Sequence, residues 1–481
     1  MALVLSIDVG TSGVRAALFD EHANELNSAR VGRTASALSD FTELDPELLV
    51  EEVCAAIDEL FTSPNADHIE SIAISTLWHS LVGIDSEGLP TTSLLTWADT
   101  RATSFARALR DEFNETEIHN RTGCRFHSSY WPAKLLWLQH EHPSLVKRTV
   151  RWLGFAEYLC LRLFGKPIVS VSMASATGLM DQHTCDWDWD LIATLKISTE
   201  SLSPIADEID LPLTQQFVER WPALKDARLK AIVGDGAANN VGGGCATADK
   251  IALMVGTSGA MRVVYEGEPP AQLPSSLWSY RIDRKRVAVG GALSDGGGLY
   301  RWLTQSLVVE EDPIKLAAEL SSLEPDAHGL TILPFWSGER STGWTGDARG
   351  AVLGLTQQTK PVEIVRAALE AIAYRFALIA TALDEVAPNA KVIATGNALR
   401  SSPVWLQILA DVLGRPVMFG GSPEASIKGA ALLALEAVGT IGSIAAVEIL
   451  IDEVYEPDMD RHVRYQRGLK RQQEFYEKLI V

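Results

Sequence analysis

Basic residues are in short supply in this chain, with 42 Lys plus Arg against 62 Asp plus Glu over 481 residues and a formal charge of -20. That balance repels nucleic acid and anionic membrane surfaces unless a local basic patch opposes it, and the sequence holds no such patch. It leaves room for a small anionic ligand, because a pocket's potential is set locally. The five cysteines, Cys54, Cys124, Cys160, Cys185 and Cys245, lack Cys-x-x-Cys spacing, which argues against a disulfide framework or zinc site and fits a reducing cytosol. No apolar run reaches the roughly 18 residues needed to cross a bilayer. Even Ala425 to Ile451 is interrupted by Lys428, Glu436 and Glu448. Met1 to Phe19 contains Asp8 and no basic leading region, unlike a signal peptide. A P-loop, Gly-x-x-x-x-Gly-Lys followed by Ser or Thr, is also missing. The expectation is a cytoplasmic protein with no nucleic-acid or membrane partner. Its composition, 47% apolar and 22% charged, is that of a globular chain, with length for about two to four domains.

What the chain does have is a repeat. Val9-Gly10-Thr11-Ser12-Gly13 recurs as Val255-Gly256-Thr257-Ser258-Gly259. Apolar segments flank both copies, residues 3 to 8 and 14 to 19 around the first, 251 to 254 and 260 to 265 around the second, so each reads as strand, tight turn, strand. A Gly/Ser/Thr turn exposes backbone N–H groups and adds hydroxyls, which together cradle phosphate oxygens. Two such hairpins predict two similar halves facing one polyphosphate across a cleft. Asp8 precedes the first copy and Met254 the second, so one half alone brings a carboxylate that a phosphate-bound Mg²⁺ could use.

The pattern between the repeats alternates strands and helices. Asp45 to Phe61 predicts a helix behind an Asp-Pro start, Ser71 to Thr76 a buried strand, 102 to 112 a helix, 132 to 164 a helix interrupted near His140 to Pro143, and Trp187 to Leu195 a short helix. Ile232 to Gly236 predicts a strand running into a turn, and Gly242 to Ala248 a hinge. Domains 1–246 and 247–481 follow. The second half continues with a strand at Val287 to Gly290, a glycine turn at Gly296 to Gly298 entering a helix from Tyr300 to Leu307, and helices at Pro361 to Leu383, Pro403 to Leu413 and Ser426 to Ala437 around a strand at Lys391 to Thr395. The class is α/β with a mixed sheet in each half.

Carboxylates at strand ends beside glycine project into clefts, and Asp8 and Asp235 both sit there. Asp235, in Val233-Gly234-Asp235-Gly236, stands where a base between two lobes could take a proton from a hydroxyl as a phosphoryl group arrives; an Asp before Gly also simply shapes turns. Trp78-His79 and Trp97-Ala98-Asp99-Thr100-Arg101 could line a polyol pocket, with aromatic faces on sugar C–H groups and Asp and Arg making directional hydrogen bonds. His140-Glu141-His142 lies in a helix break where neighbours face apart, which argues against a metal site.

These segments together resemble the FGGY carbohydrate kinases nearly end to end. The resemblance is carried by Asp8 to Ser12, the His79 segment, Trp97 to Arg101, Asp235-Gly236, Gly256 to Gly259, Gly338-Glu339-Arg340, Ser402 to Val417, Glu424-Ala425-Ser426 and Gly429-Ala430-Ala431. It implies two duplicated ribonuclease H-like domains of the actin-like ATPase type with a cleft between them. It implies ATP-dependent phosphorylation of a sugar hydroxyl, Asp235 as base, and Mg²⁺ near Asp8 and Asp235. Gly10, Thr11, Ser12, Gly256, Thr257 and Ser258 would hold phosphates, Gly297, Gly396, Asn397 and Ser401 adenosine, and Trp78, His79, Asp99, Arg101 and Asp235 the sugar. A homodimer is a further implication.

Arg121-Thr122-Gly123, Ala174 to Gly178 and Gly259-Ala260-Met261-Arg262 are similar to gluconate kinases in particular, with xylulose or another ketopentose as the alternative substrate. Other readings on the same fold are a catalytically silent sugar or nucleotide sensor and a chaperone or filament ATPase. Three departures from the family pattern carry expectations. Trp78 in place of Met narrows the pocket, Asp295 in place of Asn works against an acidic substrate, and Asn397 in place of Gly relies on the tolerance of Asn for left-handed backbone.

Overall fold

The computed structural model describes residues 3–10, 12–33, 42–62, 69–206, 208–421 and 424–480. The chain builds two mixed sheets from the same plan. In the first, β1 (Leu3–Gly10), β2 (Gly13–Phe19) and β3 (Glu25–Gly32) form an antiparallel meander, and β4 (Ile69–Thr76) and β6 (Arg228–Gly234) add in parallel on the other side of β1. With the short β5 (Leu211–Pro212) the order is β5-β6-β4-β1-β2-β3. In the second, β7 (Lys250–Val255), β8 (Gly259–Glu266) and β10 (Arg286–Leu293) form the meander, β11 (Lys391–Thr395) and β12 (Val417–Gly420) add in parallel beside β7, and β9 (Trp278–Arg281) and β13 (Ile451–Tyr455) close the edges. The repeated pentapeptide is thus the first turn of each meander.

The helices that matter for the site are α1 (Pro46–Leu60), α2 (Trp131–Glu141), α3 (Asp235–Gly242), α4 (Gly297–Ser306), α5 (Pro361–Leu383), α6 (Asn397–Arg400), α7 (Ala425–Ala437) and α8 (Met459–Leu479). Helix α1 starts where Asp45 accepts the Glu47 and Leu48 N–H groups ahead of Pro46, the cap the sequence predicts. The stretch 132 to 164 is more broken than its apolar spacing predicts: α2 is followed by a helix Pro143–Arg148, a strand Arg151–Leu153 and a helix Phe155–Phe164. The strand ending near Asp235 stops at Gly234, so Asp235 opens α3 rather than sitting in a turn.

The two cores are not two separate stretches of chain. Helix α7, from the second half, packs on β1, β4 and β6, and buries Ile427, Leu432, Leu433 and Leu435 in the first core. Burial of that kind contributes ~1.5–3 kcal/mol for each such side chain. Ser6 Oγ donates to the Ile427 carbonyl at 2.7 Å within it. Strand β9 likewise sends Trp278 and Tyr280 into the first core. Helices α3 and α7, which follow equivalent strands, cross at glycines: a Cβ on Gly242 would lie 1.9 Å from the Ala425 carbonyl oxygen, and one on Gly429 1.9 Å from that of Ala238. Gly242 therefore serves a helix contact.

Candidate active site

Strands β1, β4 and β6 end side by side, with Val9 and Gly234 both paired to Thr76. The carboxyl ends of parallel strands are where open α/β sheets place ligands. Asp235 opens α3 there, half-buried, and its Oδ1 accepts the Gly236 N–H at 2.8 Å. Burial pushes its carboxyl above the ordinary range, opposed by the Arg262 guanidinium. The flanking glycines have a steric cause. A Cβ on Gly234 would lie 1.9 Å from Trp78 Nε1, and one on Gly236 would lie 2.5 Å from both Trp78 Cζ3 and Arg262 Nη1.

A cavity of about 130 Å³ opens in front of Asp235, far above the ~10–15 Å³ that one water requires. Trp78, Trp97, Tyr130, Trp278, Tyr280 and Trp344 supply its aromatic wall, and His79, Asn239, Arg262 and Arg340 its polar groups. Trp278 and Tyr280 stack at 4.2 Å, and Trp78 meets Tyr280 edge-on at 5.0 Å. His79 sits at φ 65° with Nδ1 2.7 Å from the Ala176 carbonyl oxygen, so Nδ1 carries the proton and Nε2 is left as an acceptor. Burial pushes its pKa down to about 3, so the ring is neutral at pH 7. Behind it the buried Lys134 of α2 donates to the His79 and Thr96 carbonyl oxygens at 2.9 and 2.8 Å, tying together the two loops that carry His79 and Trp97.

The two Gly-Thr-Ser turns have different surroundings. At the first, Arg33 Nη1 donates to the Gly10 carbonyl at 2.6 Å and Arg30 Nη2 to Ser12 Oγ at 3.3 Å; Thr11 lies outside the described residues. At the second, the Gly256 and Thr257 carbonyls accept the N–H groups of Gly297 at 2.8 Å and of Gly296 and Gly298 at 3.1 and 2.9 Å, while Ser258 lines the cavity. Gly296 and Gly297 are required by that contact, since a Cβ on either would lie 2.6 Å from the Ser258 or Gly256 carbonyl oxygen. Gly297 also abuts Ala398, so the loop from Gly396 to Ser401 joins the second turn. Gly396 has φ 105° with its Cβ position 2.4 Å from the Val255 oxygen, whereas Asn397 is the first residue of α6. The left-handed residue of this loop is Gly396, and Asn397 needs no special tolerance. Ser401 is exposed, its Oγ donating to the Asn397 carbonyl at 3.1 Å.

Asp8 Oδ1 is buried without a hydrogen-bond partner. Burial, with the charges of Asp235 and Glu424 nearby, pushes its carboxyl up to about 7. An orphaned carboxylate oxygen beside a second carboxylate is the donor set a hard divalent cation takes, so the residues fit Mg²⁺. Elsewhere, Asp326, His328 and Glu370 come close enough to hold a cation. They are already closed by Arg471 on Asp326, Arg366 on Glu370 and the Leu330 N–H on His328 Nδ1. His140 is paired with Glu141 at the surface.

Asp99 and Arg101 are not among the cavity's lining residues. Arg101 donates from Nε and Nη2 to the buried Asp99 carboxylate at 3.0 and 2.7 Å and lies over Trp137. Asp295 accepts the Ser337 N–H and Oγ–H at 2.9 and 3.0 Å, which occupies the carboxylate that the sequence sets against an acidic substrate. Sequence reasoning passed over Asn239, Arg262, Tyr280 and Arg340 as site residues. Asn239 lies one helical turn beyond Asp235, and Arg262 follows Ala260 at strand period, so periodicity marks both.

Family models for the N-terminal and C-terminal domains of the FGGY family of carbohydrate kinases match residues 3–242 and 251–438. A gluconokinase of Bacillus subtilis is 29% identical over 94% of this chain and 91% of its own length. Among solved structures, gluconate kinase from Lactobacillus acidophilus superposes with a TM-score of 0.88 at 27% identity, covering 100% of this chain and 98% of that one. A ligand-bound xylulose kinase from the same organism gives 0.89 at 28% identity, with the same coverage.

Proposed function

The chain belongs to the FGGY family of carbohydrate kinases, phosphotransferases acting on sugar hydroxyls, and we propose that within it this protein phosphorylates a sugar acid, gluconate first and a ketopentose such as xylulose second, with ATP as donor. The observation that carries the reading is the half-buried Asp235 facing an aromatic cavity that also holds two guanidiniums. Asp235 takes the proton of the accepting hydroxyl as its oxygen bonds to the γ-phosphorus and the β–γ bridging P–O bond breaks, leaving ADP. Gly10, Thr11 and Ser12 on one side and Gly256, Thr257 and Ser258 on the other hold the phosphates. Gly297, Gly396, Asn397 and Ser401 hold the adenosine. Asp8 and Asp235 would hold Mg²⁺, which when bound offsets the negative charge of the phosphates.

Trp78 and His79 wall the sugar, His79 offering Nε2 as an acceptor, while Asp99 and Arg101 brace the loop of Trp97. Closure of the halves about the α3–α7 crossing excludes water, so that the phosphoryl group passes to the sugar and not to solvent. Coupled ADP release measured over gluconate, xylulose, ribulose and glycerol tests the reading. Gluconate is expected to give the highest kcat/KM, and near-background rates with all four overturn it.

A further inference from the structure

The loop from Gly338 to Thr345 brings Arg340 and Trp344 to the cavity wall, and side chains on a loop hold a ligand only as well as the loop itself is held. Three parts of the molecule hold it. From the first half, His127 Nε2 donates to the Glu339 carbonyl at 3.1 Å and Arg110 Nη2 to the Trp344 carbonyl at 2.8 Å. From strand β10, the Ala292 carbonyl accepts the Ser341 N–H at 2.9 Å and the Ala292 N–H donates to Ser341 Oγ at 3.0 Å. The third hold is the buried carboxylate of Glu339, around which the loop is wrapped.

Each oxygen of that carboxylate takes one N–H of the loop and one donor from outside it. Oε1 accepts the Gly343 N–H at 3.1 Å and Arg375 Nη2 of α5, while Oε2 accepts the Thr345 N–H at 3.3 Å and the Tyr476 hydroxyl of α8 at 2.6 Å. Without Tyr476, Oε2 keeps the longer bond alone. The Tyr476 ring is placed by other contacts, edge-on to Phe335 at 5.7 Å and 4.9 Å from the Arg375 guanidinium. Gly343 makes room for the hydroxyl, since a Cβ there would lie 1.8 Å from the Tyr476 oxygen. Helix α8 begins at Met459, beyond residue 438, where the match to the family's C-terminal domain ends.

We infer that Tyr476 is a positioning residue for the sugar site: through Glu339 it fixes the loop that presents Arg340 and Trp344, so that the C-terminal helix sets the grip on the sugar and leaves the grip on the nucleotide alone. The inference rests on the sugar-kinase reading above for the ligand the cavity takes. A hydrogen bond to a buried carboxylate is stronger than one between neutral groups, and an acceptor left short of donors costs its desolvation. Among the described residues, no hydrogen bond of Tyr476 or Glu339 reaches Gly296 to Gly298 or Gly396 to Ser401. The effect therefore stops short of the adenosine loops.

The test compares the wild type with Tyr476→Phe, which deletes the hydroxyl and keeps the ring, and Gly343→Ala, which pushes a methyl into the hydroxyl's place. Kinetics use whichever of gluconate, xylulose, ribulose and glycerol the wild type turns over best. Calorimetry reads nucleotide binding, and hydrogen exchange by mass spectrometry reads the loop. For Tyr476→Phe the expected result is a sugar KM raised about tenfold with kcat within about threefold, nucleotide Kd within about twofold, and faster exchange confined to residues 338–345. Gly343→Ala is expected to show the same split with a larger rise in KM. An unchanged KM with unchanged loop exchange overturns the inference. So does a rise shared equally by sugar KM and nucleotide Kd, or exchange that quickens throughout the second half, either of which makes Tyr476 a fold residue only. If Tyr476→Phe fails to fold, Gly343→Ala decides, and failure of both to fold overturns the inference. A wild type with near-background rates on all four sugars overturns the reading above instead, and loop exchange in Tyr476→Phe then decides this inference by itself.

Discussion

The two Gly-Thr-Ser turns have the same five letters and the same place in their sheets, yet their surroundings differ in charge and in what holds their carbonyls. The first is charged: Asp8, Arg30 and Arg33 crowd its rim, with Arg33 on the Gly10 carbonyl and Arg30 on Ser12 Oγ. The second is neutral and locked, Met254 standing where Asp8 does, its carbonyls held by Gly296, Gly297 and Gly298 and its strand pressed by Gly396. A duplicated turn thus stands among charges on one side and in a neutral, backbone-bonded setting on the other. Neighbours, rather than the turn itself, decide which.

The comparison breaks most sharply at the charged side. Asp235→Asn is expected to lower kcat by roughly 10³-fold while nucleotide binding by calorimetry is largely kept; an active variant places the base elsewhere. Next come the matched positions before the turns. Asp8→Asn is expected to lower kcat about 10²-fold and raise the Mg²⁺ concentration needed for half-maximal rate, while Met254→Leu stays within about twofold in the same titration. Equal losses from both would erase the proposed asymmetry.

The rigid side is tested by geometry. Gly396→Ala puts a methyl 2.4 Å from the Val255 oxygen at a positive φ, and urea unfolding is expected to show a loss of ~1–3 kcal/mol with a raised KM for ATP. Gly10→Ala has space and leaves unfolding unchanged, whatever it does to phosphate binding.

The smallest effect concerns acid. His119 and His127 are both in the first half, and burial pushes them down to about 4 and about 3. The unfolded chain takes up protons below about 6.5 that the folded form refuses, so stability falls as pH drops from there toward 4. The limit is ~1.4 kcal/mol per pH unit for each group. His119→Gln is expected to flatten that slope by one group's share in urea titrations at pH 7, 6 and 5. An unchanged slope removes His119 from the account.

Much of this was legible because it is local. Tight-turn composition between apolar runs marked both hairpins, Pro361–Leu383 and Pro403–Leu413 carry helical periodicity and proline starts, and Lys391–Thr395 is a short apolar run. Helix α8 was not visible, since a strongly polar sequence buries only Tyr465, Gly468 and Gln472, too thin a stripe to register as an apolar face. In the site, Asp235 showed itself as a strand-end acid between glycines. Asp99 and Arg101 looked like sugar ligands, but a carboxylate and a guanidinium two residues apart can satisfy each other, as these do. Arg340 was legible only as a letter in Gly338-Glu339-Arg340. Its place on the cavity wall depends on the Leu293 carbonyl that accepts from its Nη2 and on the Trp97 ring beneath its guanidinium, both distant in the chain.

The seating of α7 on the first sheet has a consequence in time. On the ribosome, β1 through α3 are complete once residue 242 emerges, but the apolar face that α7 covers has no lid until residues 425–437 follow. At roughly 5–20 residues per second the wait is of order 10–40 s. During it the nascent first half leaves to water the apolar side of its central strands, as does any chain truncated before residue 425.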